Sequence, residues 1–311
     1  MEKSDRIYVA GGQSLIGAAL LRELERQGYS NVIGTKGEEP DLTDAAQVDD
    51  FFAKTAPAYV FLAAGKSGGI GANQKYPADL LLDNLLVECH VVHSAWHHGV
   101  RKLLYLASSC SYPRHCPQPM REEALLTGPL EPTNEAYAVA KIAGVKLCQA
   151  YWQQYGVHFI SGIPANAFGP GDDFGLEDSH VIAALIRKMH DAKVWGQAAV
   201  DIWGSGSPRR EFIYVDDLAD ACLFLMGAYD ASPPINIGSG SDVSIRELAG
   251  LIREVVGYPG QLAFDTSKPD GMPVKLLDSS RLNALGWRAK TPMQSALSAT
   301  YEWLLRSERE G

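Results

Sequence analysis

Across the first two thirds of the chain, short runs of apolar and β-branched residues alternate with longer stretches whose apolar positions recur every third or fourth residue. "RIYVAG" (Arg6 to Gly11) reads as a buried strand, a helix pattern follows from about Leu15 to Gln27, and a short strand falls around Asn31 to Ile33. "DAAQVDDFFAKTA" is helical, "YVFLAA" (Tyr59 to Ala64) is a third strand, and a helix from about Pro77 to His98 leads into the strand "KLLYLASS". The strands are apolar nearly throughout rather than alternating, as strands covered on both faces require. Such strands separated by helices predict a doubly wound parallel sheet, the Rossmann architecture.

From about Ala165 the rhythm changes, as "FGPGDDFG", "WGSGSPRR" and "DTSKPDGMP" interrupt shorter elements. This predicts a smaller C-terminal substrate-binding lobe, residues 166–209 with 241–311, set against a cofactor-binding domain of residues 1–165 with 210–240. "EFIYVDDLADACLFLM" is expected to return to the larger domain.

Composition narrows the class. The chain has 311 residues, 46% apolar and 21% charged, with a net charge of −9 and no basic run, which disfavours nucleic acid and acidic membranes as partners. No run approaches the roughly 18 apolar residues of a membrane helix. Cys89, Cys110, Cys116, Cys148 and Cys222 are odd in number and scattered, and "MEKSDRIYVAGG" lacks a signal-like apolar stretch, so a reducing cytoplasm is expected.

The first strand runs into "AGGQSLIG", with Gly11, Gly12 and Gly17 in place and Ser14 where a middle glycine is usual. A glycine turn between the first strand and first helix lets backbone amides approach a pyrophosphate at the helix N-terminus. After the second strand, "NVIGTKGEE" brings Lys36 before Glu38 and Glu39, which favours NADP over NAD. Two other features read as structural: Gly65-Lys66-Ser67 lacks the upstream glycine of a phosphate loop, and His90, His93, His97 and His98 do not follow a metalloprotease pattern, so no metal is expected.

Tyr137 and Lys141 of "NEAYAVAKIAG" lie four apart, one turn of a predicted helix. A neighbouring ammonium and the nicotinamide charge are expected to hold the phenol below its ordinary value near 10. The preceding strand ends in "LASSCSYP", which adds Ser108, Ser109 and Cys110.

With "LTGPLEPTNEAYAVAKIAG", "DSHVIAALIRKMHDAK", "WGSGSPRREFIYVDDLADA" and "KPDG", these motifs make the whole chain resemble the extended short-chain dehydrogenase/reductase superfamily. Within it, the chain is similar to the GDP-L-fucose synthase group of bifunctional epimerase/reductases. The resemblance implies NADPH-dependent 3,5-epimerisation and 4-reduction of GDP-4-keto-6-deoxy-D-mannose by a cytoplasmic homodimer paired through the helices near 77–98 and 134–155. It implies that Ser108 and Tyr137 hold the 4-keto oxygen, that Lys141 tunes Tyr137 and binds ribose, and that Cys110 and His180 exchange protons at carbons 3 and 5. It further implies cofactor contacts from Gln13, Ser14, Leu15, Ile16, Asp41, Leu42, Ala63, Ala64, Leu106, Pro164, Asn166 and His180, and sugar-nucleotide contacts from Lys188, Trp203, Arg210 and Asp270. Ala165, Ser67 and Asp173 depart from residues common in the group. Other readings are a related GDP-4-keto-deoxy sugar such as a colitose precursor, an NAD-retaining nucleotide-sugar 4-epimerase, or a non-catalytic NADP sensor.

Overall fold

The computed structural model describes residues 1–35, 37–175, 179–268 and 270–310; Lys36, assigned above to the cofactor, lies outside them. The chain begins β1 (Ile7–Ala10), α1 (Leu15–Arg26), β2 (Val32–Ile33), α2 (Ala45–Thr55), β3 (Tyr59–Leu62), α3 (Ile70–Lys75), α4 (Pro77–His97), β4 (Lys102–Leu106), α5 (Glu135–Tyr155) and β5 (His158–Pro164). It continues β6 (Asn166–Phe168), α6 (Val181–Val194), β7 (Ala199–Trp203), β8 (Arg209–Tyr214), α7 (Val215–Ala228), β9 (Ile235–Ile237), β10 (Asp242–Ser244), α8 (Ile245–Val256), β11 (Gln261–Asp265), β12 (Val274–Lys275), α9 (Ser280–Ala284) and α10 (Met293–Glu310).

Six strands form one parallel sheet in the order β2-β1-β3-β4-β5-β9. Every residue of β1 and β4 is buried, which explains why these strands read as continuous apolar runs. The strand order reverses at β1, so the carboxyl ends of β1 and β3 open a crevice where such sheets bind ligands. Helix starts are fixed by side chains: the Asp44 carboxylate accepts from the amides of Ala46 and Gln47, and Ser244 with Glu247 forms a capping box on α8.

The apolar residues gather in two cores. One surrounds the parallel sheet; the other unites Phe168, α6, β7, α8 and α10. In "EFIYVDDLADACLFLM", α7 packs against α1 and joins the first core, while β8 at its start pairs with β6, β10 and β12 in a separate sheet. Leu277, Leu282 and Trp287 also belong to the first core, although the sequence placed 241–311 in the lobe. Their apolar side chains follow the hydrophobic surface nearest in space rather than the chain segment that carries them. Among the described residues no helix is long and apolar enough to cross a membrane.

Candidate active site

A cleft of about 800 Å³ runs from the β1–α1 turn past the ends of β3 and β4 to His180. Its wall includes Gln13, Ser14, Leu15, Ile16, Ala63, Ala64, Leu106, Pro164 and Asn166, together with Ser108, Cys110, Tyr137, Lys141 and His180. Asp41 and Leu42 lie off this wall: the Asp41 carboxylate turns back to the amide and hydroxyl of Thr43, and Leu42 is buried beneath α4, its carbonyl against His90 Nδ1 at 3.1 Å.

The glycine turn is packed tightly against neighbouring backbone. Gly11 has a φ of +82°, and a Cβ there would lie 2.6 Å from the Ala64 backbone; a Cβ on Gly12 would overlap the Gly34 carbonyl oxygen, and one on Gly17 that of Gly11. Ser14 stands in the usual glycine position because it is the N-cap of α1, its hydroxyl accepting from the Gly17 amide at 3.0 Å. The two glutamates that complicated the cofactor reading are engaged by protein. Glu39 accepts from the Gly11 amide at 2.6 Å and the Tyr8 hydroxyl at 2.8 Å, while Glu38 accepts from the amides of Gly34 and Thr35 and from the Thr35 hydroxyl.

At the end of β4 the chain makes a single 3₁₀ turn, Ser109–Ser111, whose first free amide, Cys110 N–H, donates to Ser108 Oγ at 3.2 Å. The turn places Cys110 and Ser108 beside Tyr137 on α5, and the Ser108 hydroxyl is hydrogen-bonded to the Tyr137 phenol. The expected lowering of that phenol is reversed among the protein's own groups. Burial raises it, and the charges of Cys110 and Glu88 push the same way against the Ser108 hydrogen bond. Burial is the chief cause; beside it, Lys141 Nζ, 5.9 Å from the Tyr137 ring centre, donates to Glu88 Oε1 at 3.1 Å, so its field is shared with a carboxylate.

Cys110 Sγ accepts from Asn134 Nδ2 at 3.1 Å and from Lys275 Nζ at 3.4 Å. An amide and an ammonium directed at sulfur suit a group that takes up negative charge in a reaction. His180, the residue before α6, keeps its ring open to the cleft, yet the surrounding protein desolvates it and lowers its pKa; Asp173 works in the opposite direction. Nearby, burial followed by the Asp173 charge pushes the Asp172 carboxyl up to about 7.

Lys188, Trp203, Arg210 and Asp270 lie outside the wall of this cleft. Trp203 ends β7 and is 68% exposed, and Lys188 and Lys268 ammoniums stand 5.9 and 5.5 Å from its ring centre. Arg210 lies on β8, its charge opposed by burial and supported by Asp270, Cys110 and Glu131. Asp270 has both oxygens on Ser205, accepting from the amide at 2.7 Å and the hydroxyl at 2.8 Å, so it shapes the turn after Trp203. Glu88, Asn134 and Lys275 were missed. Glu88 alone left a signal, as an acid inside an apolar helical stripe, "NLLVECHVV".

The strand-order crevice, the glycine cradle and the Ser108–Tyr137–Lys141 set define a dinucleotide-dependent epimerase or reductase of nucleotide sugars. Residues 7–238 match the NAD dependent epimerase/dehydratase family, and the chain belongs to it. It is 54% identical over 306 residues to GDP-L-fucose synthase 1 of Arabidopsis thaliana (98% of this chain, 95% of that protein) and 46% identical to GDP-L-fucose synthase of Escherichia coli (97% of each). A solved GDP-L-fucose synthetase from Naegleria fowleri bound to NADP is similar in structure, with a TM-score of 0.92 at 29% identity, covering 99% of this chain and 96% of that one.

Proposed function

We propose that the chain carries out NADPH-dependent 3,5-epimerisation and 4-reduction of GDP-4-keto-6-deoxy-D-mannose, yielding GDP-L-fucose. The observation that carries this reading is one cleft that holds a carbonyl-binding pair, Ser108 and Tyr137, together with two further proton-transfer groups, Cys110 and His180. A plain reductase needs only the first pair; epimerisation needs removal of a proton on one face of a carbon and delivery on the other. The whole-length likeness to plant and bacterial enzymes of that name supports the choice of sugar.

A sugar C–H is acidic only while the adjacent ketone spreads charge onto oxygen. Ser108 and Tyr137 hydroxyls donate to that oxygen, and each such donor is worth roughly 3–4 kcal/mol to an oxyanion by analogy with acyl-transfer sites. Cys110, held by Asn134 and Lys275, removes the proton, and His180 returns one from the opposite side. The tight turn through Gly11, Gly12 and Gly17 leads into the N-terminus of α1, where a dinucleotide pyrophosphate is assigned. When bound there, NADPH supplies the hydride. Tyr137 then protonates the carbon-4 oxygen, with Lys141 as the adjacent cation. Arg210, Lys188 and Trp203 are assigned to the diphosphate and base of the sugar nucleotide. Two copies are proposed to pair through α4 and α5, where Trp96 stacks on Tyr155 with ring centres 4.4 Å apart and Tyr155 is 43% exposed.

The test supplies purified protein with NADPH and GDP-4-keto-6-deoxy-D-mannose in D₂O. Loss of NADPH absorbance with deuterium at carbons 3 and 5 of the product is expected. NADPH loss without deuterium uptake would leave a reductase alone, and neither signal would remove the proposal.

A further inference from the structure

Glu88 has no part in the reaction outlined above, yet it is buried to 1% exposure on the face of α4 that meets α5. Its Oε1 accepts from the Tyr105 hydroxyl of β4 at 2.6 Å and from Lys141 Nζ at 3.1 Å. The same Tyr105 proton is shared with the Lys141 carbonyl at 3.2 Å, so the hydroxyl sits between Glu88 and the backbone of Lys141. Lys141 is itself only 4% exposed, and among the described residues Glu88 is the one acid within ion-pair distance of it.

The surrounding packing keeps room for this array. A Cβ on Gly144 of α5 would overlap the Tyr105 ring near its hydroxyl, and a Cβ on Gly65 would stand 3.2 Å from Lys141 Nζ and overlap the Asn84 amide oxygen. Among the described residues Glu88 Oε2 and Asn84 Oδ1 are buried without a partner. Stability alone gives a poor account of such a carboxylate, because a buried ion pair rarely outperforms apolar packing of the same volume and an unused acceptor adds to its cost. The titratable groups facing Glu88 are Tyr105 from β4, Tyr137, Lys141 and Cys148 from α5, and Cys89 on its own helix. Lys141 is the sole cation among them.

We infer that Glu88 is a positioning residue for carbonyl reduction: oriented by Tyr105, its carboxylate holds the Lys141 ammonium at the wall of the cleft beside Tyr137. The inference rests on the proposed roles of Tyr137 and Lys141. Without Glu88, a dry ammonium loses the charge that offsets its desolvation and gives up its proton at lower pH. Lys141 then ceases to be a cation for the phenol and the cofactor.

The test compares wild type, Glu88→Gln, Glu88→Asp and Tyr105→Phe in the full chain. NADPH affinity is read by fluorescence titration from roughly pH 6 to pH 10, and reduction of the GDP-keto sugar is read in a single turnover. For Glu88→Gln the expected result is a lower melting temperature, since a buried ammonium is left without its counter-charge, and reduction slower by about tenfold at pH 8, with the basic limb of NADPH binding displaced toward acid. Glu88→Asp should restore part of the limb, and Tyr105→Phe should displace it in the same direction by less. A folded Glu88→Gln protein with a wild-type limb and wild-type turnover would overturn the inference. Should Glu88→Gln not fold, an unmoved limb in Tyr105→Phe does so instead. A wild-type chain that binds NADPH but leaves this ketone untouched faults the proposed substrate, not Glu88, because the binding limb is read without sugar.

Discussion

The two ends of the proposed reaction path are built differently. Around β4, α4 and α5, Tyr105, Glu88 and Lys141 are buried to 0%, 1% and 4% exposure and locked by mutual hydrogen bonds. On the lobe, Trp203 is 68% exposed, and Asp270 spends its carboxylate shaping the neighbouring turn. In the proposed reaction the first region fixes charge where the transition state develops it, and preorganised charge of this kind acts on rate. The second offers cations and an aromatic face to a long anionic ligand, and contacts formed equally with bound substrate and transition state act on affinity. The contrast can be broken by substitutions that divide between kcat and KM.

The largest effect is expected at Tyr137. Tyr137→Phe removes the proton donor and one donor to the ketone oxygen, and reduction should fall by about 10³-fold, within the range for a lost general acid. NADPH affinity should stay within about twofold, since Lys141 and the glycine cradle are intact. A loss confined to NADPH binding would instead make Tyr137 a cofactor contact.

Cys110→Ser comes next. Deuterium uptake at carbons 3 and 5 should drop by about 10²-fold, while NADPH consumption on the unepimerised ketone persists in part. Equal loss of both signals would mean that reduction waits on epimerisation, and unchanged uptake would free Cys110 from the role given to it.

On the lobe, Trp203→Ala and Arg210→Met should raise KM for the sugar nucleotide by about tenfold with little change in kcat, the size of one aromatic stack or one charged hydrogen bond. A kcat effect larger than the KM effect at Arg210 would erase the contrast between the two ends.

How much of this was legible follows from what each feature depends on. The parallel sheet was readable because both of its faces are covered, which leaves β1 apolar throughout and β4 apolar after Lys102. The glycine turn was readable because its geometry is local; Ser14, an oddity in sequence, becomes the cap of the very helix it starts. The Tyr137–Lys141 spacing is also local. What supports these residues is not. Lys275 reaches Cys110 across 165 positions of chain, and Glu88 meets Lys141 across 53. The rise of the Tyr137 phenol comes from burial, which no spacing encodes. Leu277, Leu282 and Trp287 join the first core, a placement their sequence does not reveal because apolar residues on a connecting segment fit either core.

The smallest effect is expected at Asp173, an exposed residue of the cleft wall whose carboxylate is steadied by the Gly175 amide at 2.9 Å. Burial lowers the His180 pKa and Asp173 opposes that, so the imidazolium needed to deliver a proton survives to a higher pH with Asp173 than without it. Asp173→Asn should therefore move the basic limb of deuterium uptake toward acid, by a small amount because an exposed charge is screened by solvent. The same change should bring the Asp172 carboxyl down from about 7, because a like charge beside it is gone. NADPH binding measured without sugar should not move, since neither group supports Lys141. The two limbs thus separate: one follows Glu88 at the dry end of the cleft and the other follows Asp173 at the open end. High salt should shrink the Asp173 displacement, and a limb that ignores both salt and substitution would mean that the carboxylate does not act on His180.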